Sequence, residues 1–105
     1  VVWILAILYA LSVHEASHAL GGALMGDDTA KHQGRLTLNP LAHLDIFGFI
    51  MLLVAGFGWG KPVPFNPYNS RNQRWGPAVV ALFGPLANFG SVIVFAIVMR
   101  VLLAV

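Results

Sequence analysis

Residues 14–18 read His-Glu-Ala-Ser-His, and they stand inside an apolar run that begins at Val1 and ends near Met25. On a helix, residues four apart lie one turn from each other on the same face. His14 and His18 can therefore share a metal ion, and the glutamate beside the first histidine can act on a water there. Two histidines and a glutamate within one turn at membrane depth are costly unless they serve a site. The stretch from about Val2 to Met25 is long enough to cross a bilayer core of about 30 Å at about 1.5 Å per residue. Its second half is rich in Ala, Ser and Gly, which lets helices approach closely in lipid. The half carrying His14 and His18 is thus expected to pack against other helices rather than face lipid.

The rest of the chain has the same character. Of its 105 residues, 58% are hydrophobic and 10% are charged, against about a quarter charged in a soluble domain. A soluble domain of this length has too little interior to hide so much apolar surface, which predicts an integral membrane protein. The net charge of +2 gives no reason to expect nucleic acid, and the absence of cysteine excludes disulfides and thiolate metal sites. The chain starts without methionine and ends inside an apolar run, so it reads as a piece of a longer protein, truncated at both ends.

Gly26-Asp27-Asp28 ends the first segment. Residues 34–40, Gly-Arg-Leu-Thr-Leu-Asn-Pro, alternate polar and apolar, which suits a short strand or hairpin edge before a turn at Asn39-Pro40. A second apolar segment, residues 46–57, is too short for a full span and reads as tilted or re-entrant. Prolines at 62, 64 and 67 keep the next connection extended, and Trp59, Tyr68 and Trp75 suit an interfacial belt. Residues 77–105 are almost wholly apolar and make a secure span, with Gly84-Pro85 expected to kink it. Basic residues number two in the first connection and three in the second, which leaves the topology open. The expected fold is an all-α membrane protein: one transmembrane core, 1–105, built as a polytopic bundle of two to three spanning segments.

Neutral imidazoles at His14 and His18 bind zinc through ring nitrogens and leave positions for water and a third protein ligand. Glu15 is the candidate catalytic base. Asp45 stands at the start of the second apolar segment, either as a metal ligand or the partner of one, or as a helix N-cap. His43 is either part of the same site or an interfacial side chain. Asn88 is a polar amide in the last segment that requires a partner; it can bind substrate or join helices, and the latter is favoured.

Four blocks together resemble the site-2 protease family of intramembrane zinc metalloproteases, in its compact prokaryotic branch without a PDZ domain. They are His14-Glu15-Ala-Ser-His18-Ala, Gly34-Arg-Leu-Thr-Leu-Asn-Pro-Leu-Ala-His43-Leu-Asp45, Gly58-Trp-Gly-Lys-Pro-Val-Pro-Phe-Asn-Pro67 and Gly84-Pro-Leu-Ala-Asn88. The first alone is shared by many zinc proteases; the four in this order are far more specific. The resemblance implies Zn2+, membrane-protein substrates cut in or beside a transmembrane segment, and a location in a prokaryotic plasma membrane. It matches His14 and His18 to the paired zinc ligands and Glu15 to the catalytic glutamate. The family's third ligand is usually an aspartate in a later Leu-Asp-Gly block, which residues 1–105 do not contain. Either that block follows Val105, or Asp45 substitutes. The proline-rich connection or the short second segment is expected to gate substrate access. Two other functions fit parts of the pattern: a membrane metal transporter using His14, His18 and Asp45, and a catalytically inactive relative that binds membrane segments.

Overall fold

The computed structural model describes residues 1–105. Helix α1 spans Val2–Leu24, a single turn α2 spans Thr29–His32, α3 spans Ile46–Ala55 and α4 spans Gly76–Ala104, with short 3-10 turns at Pro40–Ala42 and Pro67–Asn69. The two long helices carry the fold. At about 1.5 Å per residue they are roughly 34 and 44 Å long, and both are apolar enough to cross a membrane.

Helices α1 and α4 are antiparallel. Tyr9 on α1 meets Ser91 on α4 at 3.1 Å, His14 meets Asn88, and His18 meets the Val80 carbonyl, so partner numbers fall as α1 advances. The seam is made of small side chains, as the sequence predicts. Ser12, Ala16, Ala19, Gly21 and Gly22 are buried on α1, and Gly76, Val80 and Gly84 on α4. The Phe83 ring lies over Gly21, where a Cβ would come within 2.9 Å of it. Pro85 lies within α4 without ending it. Its missing N–H and ring remove one intrahelical bond, yet the helix continues on both sides.

Helix α1 stops because Gly26 takes φ +97°, a left-handed conformation open to glycine. The chain then turns so that the Asp27 N–H bonds the Gly22 carbonyl at 2.8 Å. Asp27 is 1% exposed. Its Oδ2 accepts from the Asn66 N–H at 2.8 Å; its Oδ1 accepts from the Thr29 N–H and hydroxyl and from the Asn69 amide. One carboxylate thus ties the end of α1 to the proline-rich connection. Burial pushes this carboxyl upward, but the hydrogen bonds from Thr29, Asn66 and Asn69 together outweigh it and hold it below 3.8, its ordinary value.

The strand expected at residues 34–40 does not form; a lone antiparallel bridge joins Leu44, beyond that stretch, to Gly60. The side chains there bond the backbone locally or across the loop instead of leaving it free for a ladder. Thr37 Oγ1 accepts from the Asn39 N–H, and Asn39 Oδ1 accepts from the Leu41 N–H. Arg35, 6% exposed, reaches across to the carbonyls of Lys61 and Pro62 at 2.7 and 2.9 Å. The facing segment is also poor in donors, since Pro62 and Pro64 carry no N–H. Helix α3 has ten residues, about 15 Å, half a bilayer core, as the short apolar segment predicts.

Candidate metal centre

His14 and His18 fall one turn apart on the face of α1 that meets α4. Their Nε2 atoms approach to 3.0 Å, with the rings edge to face at 84°. A tetrahedral zinc with Zn–N bonds of about 2.0–2.1 Å would set two nitrogens roughly 3.3 Å apart, so the pair already has the spacing of two ligands to one ion. The ring orientations are held from α4. His18 Nδ1 donates to the Val80 carbonyl at 2.6 Å, which puts the proton on Nδ1 and leaves the Nε2 lone pair free. The His14 Nδ1 faces the Asn88 amide at 3.2 Å.

Opposite the two Nε2 atoms lies Gly84. A Cβ there would sit 2.5 Å from His18 Nε2 and 2.7 Å from His14 Nε2. The glycine is required by space: any side chain would occupy the point on which the two imidazoles converge. The donor set and this cradle fit a zinc ion held by His14 and His18, with its remaining positions open. Glu15 is half-buried, next to His14.

The other candidates do not join the pair. No group of three or more His, Cys, Asp or Glu side chains converges to hold a metal. Asp45 serves as the N-cap of α3, its Oδ1 accepting from the Gly48 N–H at 2.9 Å. His43 is fully buried. Its Nε2 donates to the Thr37 carbonyl at 2.8 Å and its Nδ1 accepts from Arg35 at 3.3 Å, so both ring nitrogens are engaged. It holds residues 35–43 against the proline-rich connection, with its own carbonyl accepting from the Lys61 N–H at 2.8 Å. Asn88, by contrast, is brought directly to the histidines.

Sequence reasoning missed the Val80 carbonyl and the role of Gly84. A backbone carbonyl has no identity in a sequence, and Gly84 reads there as a kink residue beside Pro85. It also missed the burial of Asp27 and Arg35, since charged residues in polar connections are ordinarily solvated.

Between the N-terminal half of α1 and the middle of α4 lies an open, mainly apolar groove of about 530 Å³. Asn88, Ser91 and Tyr9 are the polar groups on its walls.

No protein-family model and no solved structure matches the chain. Over 85 residues, 81% of its length, the chain is 46% identical to a Bacillus subtilis (strain 168) protein named "Putative zinc metalloprotease YwhC". It spans 39% of the length of that curated relative. The chain is therefore similar, over most of its length, to part of a protein named as a zinc metalloprotease, and this similarity supports a metalloprotease.

Proposed function

We propose that residues 1–105 form part of the core of an intramembrane zinc metalloprotease of the site-2 protease kind, which hydrolyses peptide bonds in or beside a transmembrane segment of its substrate. The observation that carries this reading is the convergence of His14 Nε2 and His18 Nε2, 3.0 Å apart, over a glycine on the facing apolar helix. Between two helices long enough to span a bilayer, such a pair has a metal as its natural partner. The likeness to a protein named as a zinc metalloprotease supports the same reading.

When bound, zinc supplies a Lewis acid that polarises the scissile carbonyl and acidifies water. His14 and His18 hold it. Glu15 takes the proton of the attacking water on its carboxylate and passes it to the leaving amine nitrogen. A third protein ligand is needed to complete this site; Asp45, which caps α3 through its Oδ1, is not brought to the histidines. A helical substrate must unwind locally, because carbonyls engaged in helical hydrogen bonds are poorly placed for attack. The groove between α1 and α4 offers a lipid-side place for such a segment beside Asn88.

The full-length protein in proteoliposomes with a single-span reporter peptide tests this. Cleavage by the wild type and none by Glu15→Gln, with zinc retained by both, is the expected result. Zinc movement across the bilayer without cleavage would replace the protease reading with a transporter.

A further inference from the structure

Asn88 is half-buried on α4, yet its Oδ1 is fully shielded and has no hydrogen-bond partner. Its Nδ2 is 3.2 Å from His14 Nδ1. The bond between these side chains has to reverse when the histidines take a metal. Without one, the proton on His18 Nδ1 is fixed by the Val80 carbonyl, so His18 Nε2 can only accept. His14 Nε2, 3.0 Å away, must then carry the proton that bridges the two rings. His14 Nδ1 is left as an acceptor, and the Asn88 amide donates to it. With a metal on both Nε2 atoms, His14 must carry its proton on Nδ1, and that proton needs an acceptor. A half-turn of the Asn88 amide exchanges its NH2 and oxygen in place and supplies one.

We propose that Asn88 is a positioning residue for the zinc site: a reversible amide partner that donates to His14 Nδ1 in the metal-free protein and accepts from it in the loaded one. An amide carries a donor and an acceptor that a half-turn exchanges in place, whereas an ionised carboxylate carries acceptors alone, which accounts for an amide rather than a carboxylate here. The inference rests on the metal reading above but makes a claim of its own about the metal-free state. Partners of ligating histidines typically change metal affinity by about 10–100-fold when removed.

The test is nitrogen NMR of histidine-labelled full-length protein, with and without zinc, beside a zinc titration against a competing chelator. In the wild type, the His14 proton is expected on Nε2 without zinc and on Nδ1 with it. Asn88→Asp offers only an acceptor. It should place the proton on Nδ1 even without metal, and bind zinc within a factor of about 3 of the wild type. Asn88→Leu should lose about 10–100-fold in zinc affinity. A purely helix-joining role would lower thermal stability in both variants, move no histidine resonance, and overturn the proposal. So would an Asp variant that loses as much affinity as the Leu variant, or a Leu variant that binds as the wild type does. A wild-type protein that binds no zinc would overturn the metal reading itself.

Discussion

The imidazoles of His14 and His18 owe their arrangement to what α4 lacks as much as to what it offers. Gly84 leaves the space in front of both Nε2 atoms open. Gly84→Ala would push a methyl group into that space, and overpacking of this kind costs about 1–3 kcal/mol. Borne wholly by the metal-bound state, that cost at about 1.4 kcal/mol per factor of ten lowers zinc affinity roughly 5–150-fold; borne by both states, it appears as a lower melting temperature instead. A chelator titration beside a thermal melt checks this; unchanged affinity with an unchanged melting temperature would remove Gly84 from the site. The spacing of His14, Glu15 and His18 was legible because helical periodicity depends on sequence separation alone. The partners on α4 were not, because they are set by the register of two helices. Asn88 could be named from its cost in an apolar helix, and only the structure gives it His14 as its partner.

Among the elements, the connection between α1 and α4 is more tightly organised than its composition suggests. Asp27 gathers four hydrogen bonds from three residues, and Arg35 with His43 clips residues 35–43 to the proline-rich segment. Asp27→Asn removes charge and acceptor capacity from a buried node, and the expected loss at neutral pH is about 1–3 kcal/mol. Because the folded carboxyl lies below its ordinary value of 3.8, its contribution is fully present above that pH and is lost as pH falls below it, through the folded value. Unfolding measured from pH 7 to pH 3 should show the gap between the wild type and Asp27→Asn closing at the acid end. A gap that stays constant would mean that the carboxylate charge contributes nothing. The strand expected at 34–40 illustrates a limit of pattern reading. Alternation shows which side chains share a face, but not whether a partner strand exists. Here local side-chain bonds and the prolines opposite decide against one.

For the whole molecule, 14 of 105 residues are buried. Large apolar side chains are exposed along the full length of α4. The proposed function places hydrocarbon, or further helices of a longer protein, over them, with the polar site between α1 and α4. Val94, in the central third of α4, is 58% exposed. Val94→Asp should raise the apparent insertion cost of this helix by about 3 kcal/mol or more, since it also removes an apolar side chain. An insertion assay scoring the fraction of α4 integrated would show it; integration equal to the wild type would contradict a lipid-facing α4. The apolar segments, their approximate lengths and the helical class were legible from composition and run length. The antiparallel pairing, and with it the place of the site, came from contacts between residues more than sixty positions apart.

The proposed metal centre consists of two imidazoles of α1 around one zinc ion. X-ray absorption at the zinc edge of the full-length protein, with bound zinc counted in the same samples, tests this most directly. About one zinc per chain with two imidazole nitrogens at about 2.0–2.1 Å is predicted for the wild type and for Glu15→Gln, and loss of bound zinc for His14→Ala and His18→Ala. Zinc still bound with unchanged imidazole scattering after both histidines are replaced would contradict it.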